Sequence, residues 1–157
     1  MSFEVFTYSP TEVYLTLPGH TVSGWMNISI ERSAKMFITK RGIRGKHTRV
    51  LNKDTSATIT VSLLQVSPTN DVFNRILELD EQYGTGRIEL QLADKSGSSV
   101  FKSNEAYITG YPAEKFSDGF EQRVWEIFCQ STEWATRGNS KPQQSVVRDV
   151  LRSLGIE

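Results

Sequence analysis

From Ser56 to Leu63 the chain alternates a hydroxyl-bearing residue with an apolar one, without a break. Ala57, Ile59, Val61 and Leu63 fall on one side of an extended chain, and Ser56, Thr58, Thr60 and Ser62 fall on the other. A period of two carried by β-branched residues specifies a strand. Its apolar side must be buried. Its other side is unusual, because a solvated sheet face ordinarily mixes in Lys, Glu and Arg, and these eight residues carry no charge.

A helix follows directly. Ser67 is placed to cap free backbone N–H groups, Pro68 suits the first helical position, and Asp71 sits in the first turn, where negative charge is favoured. Val72, Ile76, Leu79 and Tyr83 recur every three or four residues and form one stripe, widened by Phe73 and Leu77. Gly84 is a C-terminal stop.

Around this pair the sequence reads as strands. Glu12 to Leu17 alternates, Pro18-Gly19 forms a type II turn, and His20 to Gly24 returns. Met26 to Arg32 and Arg87 to Ala93 alternate again, and Asp94-Lys95-Ser96-Gly97 is a turn. Ser98 to Lys102 and Asn104 to Gly110 read as two further strands, and Gln122 to Gln130 as the last. From Ser131 the composition shifts to a linker, and Val146, Val147, Val150, Leu151 and Leu154 then make a short helical stripe. A helix so short is unstable alone, so it must dock on something. The expected division is a β domain over 1–130 and a linker plus amphipathic helix over 131–157.

Between Glu31 and Asp54 there is no acidic residue, while eight of the chain's 18 Lys and Arg lie from Arg32 to Lys53. Lys35, Lys40, Arg41, Arg44, Lys46 and Arg49 make this a long basic hairpin or loop. Met36, Phe37 and Ile38 stand on one arm, and Val50 and Leu51 on the other. Such a segment repels itself and is expected to be disordered alone, ordering against a partner. By charge alone, an acidic protein surface and a phosphate backbone serve equally well.

Catalytic chemistry is not evident. His20 and His47 have no companion ligands at metal spacing, and no motif puts a nucleophile on a strained turn. Gly42-Ile43-Arg44-Gly45 matches a G-x-x-G single-strand binding loop but lacks that module's flanking helices. No cofactor, metal or enzyme activity is expected. Acidic and basic residues balance at 18 each, which argues against a protein built to coat nucleic acid. The lone Cys129 fits a reducing compartment. No signal peptide is evident, and no apolar stretch is long enough to act as a membrane anchor.

Several segments together resemble a known family. They are Ser29-Ile30-Glu31-Arg32, a long loop carrying Gly45 and Thr48-Arg49, and Asn52-Lys53-Asp54-Thr55-Ser56-Ala57-Thr58. Ser67-Pro68-Thr69-Asn70-Asp71-Val72, Asp94-Lys95-Ser96-Gly97 and Arg123-Val124-Trp125-Glu126 complete the set. Over about residues 10–130, their order and spacing resemble the tail tube proteins of contractile-tailed bacteriophages. The resemblance implies a mainly β fold: an antiparallel β-sandwich or rolled sheet with one flanking α-helix and a long loop, here the basic hairpin. The C-terminal helical extension, 131–157, lies beyond the part it covers and is read from the residues alone.

It also implies a structural virion protein, assembled in the host cytoplasm, whose six-fold rings stack into the hollow inner tail tube. DNA would pass through that tube at infection. Partners would be other copies of the chain, the tail sheath protein, baseplate and tail terminator proteins, and the tape measure protein and DNA in the lumen. On this reading Ser56, Thr58, Thr60 and Ser62 line the lumen, with Arg87, Glu89 and Gln91 beside them. The hairpin cations Lys35, Lys40, Arg41, Arg44, Lys46 and Arg49 hold a neighbouring subunit or ring. Two alternatives remain open: a nucleic-acid-binding module using hairpin 32–53, and a tube-like tail-end or baseplate protein that makes a single ring.

Overall fold

The computed structural model describes residues 8–137 and 144–156. After a short 3₁₀ turn at Pro10–Glu12 come strands β1 (Val13–Leu17), β2 (His20–Thr21), β3 (Trp25–Arg32), β4 (Phe37–Arg41), β5 (His47–Leu51) and β6 (Ala57–Leu64). Helix α1 (Thr69–Tyr83) leads to β7 (Ile88–Asp94), β8 (Val100–Ile108) and β9 (Gln122–Ala135), and α2 (Gln144–Ser153) ends the described chain. Seven strands form one antiparallel sheet in the order β2-β1-β7-β8-β9-β6-β3, curled into a half-barrel, and β4 and β5 pair separately. The fold is therefore mainly β with one flanking helix, as the sequence led us to expect.

Strand β6 sits inside this sheet, between β9 and β3. Ala57, Ile59, Val61 and Leu63 have no exposed surface, while Thr58, Thr60 and Ser62 between them are half-buried. Core residues from β1, β7, β8 and β9, including Leu15, Leu90, Phe101 and Ile127, pack on the same side. Helix α1 closes this side with Phe73 and Leu77, which are its buried centre rather than the margin of a stripe. Val72, Ile76 and Leu79 are half-buried, and Tyr83, expected in the stripe, is exposed because the helix ends beyond the sheet's cover. Phe73 meets Trp125 edge to face, with ring centres 5.5 Å apart.

The start of α1 is bolted to the corner between β2 and β3. Pro68 is already helical (φ −65°, ψ −17°), and Ser67 Oγ accepts from the Thr69 N–H at 3.2 Å. The same hydroxyl donates to Ser23 O at 2.6 Å. Thr69 Oγ1 accepts from the Ser23 N–H at 3.1 Å and pairs with His20 Nε2 at 3.0 Å. Gly24 is required in this corner: its φ is +66°, and a Cβ there would lie 2.8 Å from Ser67 Cβ. At the other end Gly84 takes the left-handed conformation and its N–H reaches Asp80 O at 2.8 Å, the stop read from the sequence.

Three strand boundaries differ from expectation. Ser98–Lys102 and Asn104–Gly110 are not separate strands, since β8 runs through both with register shifts between Ser103 and Ala106. The polar Ser103-Asn104-Glu105 run that looks like a break is a bulge. Strand β9 continues five residues past 130, to Ala135, because Thr132 and Trp134 find partners inside. The Thr132 hydroxyl donates to Thr55 O, and the Trp134 ring packs edge to face on Phe101 at 4.9 Å. Strand β2 is only two residues long, since the chain turns the Ser67 corner at once. Most of the linker (138–143) lies outside the described residues.

Candidate assembly surfaces

Hydroxyls of β6 face away from the core, and the register identifies their neighbours. Thr58 lies between Glu31 of β3 and Phe128 of β9, Thr60 between Ser29 and Glu126, and Ser62 between Asn27 and Val124. The face is thus free of charge along β6 alone, and its flanking strands add two carboxylates. Ser56 does not belong to this face. It precedes β6, is 6% exposed, and closes the base of the hairpin: its N–H donates to Asp54 Oδ1 at 2.9 Å and its O accepts from the Ser33 N–H at 3.0 Å. The Ser56 N–H and hydroxyl hold the Asp54 carboxyl below the usual carboxylate range.

Arg87, Glu89 and Gln91 are exposed, yet they do not stand beside the β6 hydroxyls. Strands β8 and β9 lie between β7 and β6. Gln91 and Glu89 alternate with buried Leu90, so they share the non-core side, where Gln91 faces Lys102 of β8 and Thr16 of β1. Arg87 precedes β7 and borders a small cleft with Asp80, Glu105 and Tyr107. Strand order decides these distances, and no sequence pattern reports it.

Strand β3 is an edge of the sheet. Its eight residues pair with β6 on one side only, with a register shift between Trp25 and Asn27. The opposite edge is blunted, since β2 contributes two residues. An edge of this length leaves backbone N–H and C=O groups free to pair with another chain.

The basic segment is a closed hairpin within the single chain, contrary to the expected disorder. Five register pairs run from Phe37↔Leu51 to Arg41↔His47, and Gly42 N–H reaches Lys46 O at 2.7 Å. Gly45 supplies φ +87° at the turn. Every residue of β4 and β5 is exposed. Direct pairing and the Arg49 guanidinium, 4.2 Å from the centre of the Phe37 ring, offset the self-repulsion. Lys40, Arg41, Arg44, Lys46 and Arg49 are brought together on this ribbon, with Lys35 just before it. Ile38 pairs with Val50 near its base, so apolar surface stands beside the cations.

Helix α2 has exposed Val147 and Val150 and half-buried Leu151; exposed Leu154 follows it, and Gly155 turns the chain at φ +73°. The side chain of Val146 lies outside the described ones. No group of three or more potential metal ligands occurs among the described residues. No described helix is long and apolar enough to cross a membrane. The arrangement offers three surfaces for contact: a free sheet edge, a polar non-core face and a projecting cationic ribbon.

No family model matches the sequence. The chain is 33% identical over 167 aligned residues to Structural protein ORF10 of Pseudomonas phage KPP10, an alignment spanning 99% of this chain and 96% of that protein. Three solved structures share the fold. The cap of the anti-feeding prophage, a tube terminating cap, superposes with a TM-score of 0.62 at 13% identity over 87% of this chain and 96% of that one. The tail of the empty gene transfer agent particle, refined with C6 symmetry, gives 0.59 at 13% identity over 83% and 100%. The sheath/tube terminator of the extracellular contractile injection system PVC gives 0.54 at 12% identity over 84% and 99%.

Proposed function

The chain belongs to the family of phage structural proteins represented by Structural protein ORF10, and from that premise we propose that it builds the wall of a hollow phage tail tube. The observation that carries this reading is the half-barrel left open along β3, with a polar face on its non-core side. A curled sheet with one free edge is completed when a neighbour supplies the missing backbone partners. A heterologous contact of this kind closes into a ring if its rotation closes. Six copies per ring is the number we propose, in keeping with the C6 symmetry of the gene transfer agent tail that shares the fold.

On this reading Thr58, Thr60 and Ser62 border the passage, with Glu31 and Glu126 among them. Hydroxyls hydrate well, and carboxylates repel phosphate, so DNA slides rather than binds. A passage lined by Lys and Arg would hold DNA through counterion release. The cationic ribbon therefore lies away from the channel and reaches a neighbouring subunit or ring. The tail sheath surrounds the tube, α2 packs on its exterior, and tape measure protein and DNA occupy the lumen. Assembly takes place in the host cytoplasm, against baseplate and terminator proteins.

A single ring at the tail end is the second reading, because a tube terminating cap and a sheath/tube terminator have this same fold. Negative-stain micrographs of the purified protein test both. Rings stacked into tubes support the first reading and isolated rings the second. A chain that stays monomeric at high concentration, with its tail partners supplied, contradicts both.

A further inference from the structure

Strand β6 has a different kind of exposed feature at each end. At the Ala57 end, where Ser33 N–H meets Ser56 O, the β4–β5 hairpin leaves the sheet. At the Leu64 end, β6 pairs with Gln122 and Gln65 N–H reaches Glu121 O at 3.1 Å, so the connection 109–121 closes there. Eight residues of extended chain put about 26 Å between the two ends.

The connection 109–121 carries surface that a solvated loop does not need. Phe116 and Phe120 are 75% and 82% exposed, and Tyr111 is 53% exposed. Between and beside the two phenylalanines lie exposed Glu114, Lys115 and Asp118, with Glu121 following, so the segment carries three carboxylates against one ammonium. The segment is shaped rather than featureless. Tyr111 OH donates to Glu81 Oε2 at 3.3 Å, tying it to α1, and Gly119 N–H donates to Ser117 Oγ at 3.2 Å between the two phenylalanines. The hairpin tip has the opposite character. Ile43 is wholly exposed, with Arg41 and Arg44 around it and no carboxylate from Arg32 to Lys53.

On the stacked-ring reading above, the geometry points to the 109–121 platform of one copy as the seat for the β4–β5 tip of a second copy. Ile43 packs against Phe116 and Phe120, and Arg41 and Arg44 face Glu114 and Asp118. Complementary features at opposite ends of one chain make a head-to-tail contact, which repeats along an axis. The charges set register and partner choice, and the aromatic rings supply the buried area.

Charge reversal on the full chain tests this. R41E/R44E and E114K/D118K each raise the protein concentration needed for stacking about tenfold or more. The chain carrying all four substitutions stacks like the wild type, which also shows that the substituted chains fold. In a separate arm, a chain with Ile43→Cys and Phe116→Cys is oxidised in the assembled state. It gives a ladder of covalent multimers, and neither single variant does so, the native Cys129 being buried. If wild-type rings stack and E114K/D118K stacks equally well, this contact is wrong and the tube reading stands. If the wild type forms no stacks, the tube reading itself fails. A loss of duplex DNA binding in R41E/R44E, with no effect of E114K/D118K on stacking, overturns the contact in favour of a nucleic-acid role for the hairpin.

Discussion

Trp125 Nε1–H donates to Asn70 Oδ1 at 2.9 Å across the core, joining the start of β9 to the first turn of α1. Asn70 also donates through Nδ2 to Leu64 O at 2.9 Å and to Ser67 O at 3.1 Å. One 5% exposed amide therefore satisfies an indole and two carbonyls at the point where the strand becomes the helix. Removing it orphans the Trp125 indole N–H, while Leu64 O and Ser67 O each keep a backbone donor, the Ser67 N–H at 2.9 Å and the residue-70 N–H at 3.2 Å. An orphaned buried polar group costs about 1–3 kcal/mol. Asn70→Ala is expected to lose about 2–3 kcal/mol in urea unfolding, one orphaned indole N–H plus the lost amide bonds. Asn70→Asp, which keeps the acceptor for Trp125 and loses both donated bonds, is also expected to be destabilised.

Gly24→Ala tests the corner where α1 meets β2 and β3. The substitution meets a left-handed backbone and Ser67 Cβ at 2.8 Å together. A loss of about 2–4 kcal/mol is expected, beyond the usual range for one surface methyl group. Gly19→Ala, at φ +80° with open space around it, should cost less, and that difference isolates the contact from the backbone strain.

Burial pushes the Cys129 thiol up to about 11, with a Ser103 hydrogen bond opposing the rise. The folded state therefore favours the protonated thiol. Its contribution is whole below the unfolded value near 9 and is lost as pH rises towards 11. A rise of this size corresponds to about 2–3 kcal/mol. The fall in melting temperature between pH 9 and 11 should be shallower in Cys129→Ala than in the wild type, whatever the variant's absolute stability. At pH 7.5 the native thiol should resist alkylation until the protein unfolds.

Thr60→Cys reports on the passage. In assembled tubes it should react with a small thiol reagent and be shielded from a bulky polymer-linked one, while in dissociated subunits both should react. Equal labelling by both reagents in tubes removes β6 from the lumen.

Periodic elements were legible in the sequence and relations between elements were not. Ala57 to Leu63 declared β6, and the Ser67-Pro68 start with the Val72, Ile76 and Leu79 spacing declared α1, because each pattern is local, although the helix buries Phe73 and Leu77 instead. Asn70 reads as an ordinary turn residue, and only the approach of Trp125 from 55 positions away gives it a role. Thr132 looks like linker until Thr55 appears beside it. Glu31 and Glu126 join the β6 hydroxyls through strand order, which alternation cannot encode. For the same reason Arg87, Glu89 and Gln91, which the resemblance sets beside the β6 hydroxyls, stand on a strand three places away. The hairpin is visible as a charge anomaly, but its order rests on the β4–β5 pairing and on Arg49 reaching Phe37.

The account turns on whether the free side of β3 pairs with another copy. Hydrogen–deuterium exchange on peptides covering Trp25–Arg32 measures this directly, because alternate amides of an antiparallel edge strand point away from its partner. In dilute dissociated protein those outward amides should exchange rapidly. On assembly they should slow about a hundredfold or more, while the β6 amides, already paired on both sides, change little. Assembled particles in which the β3 amides exchange as fast as in the free chain would contradict the account.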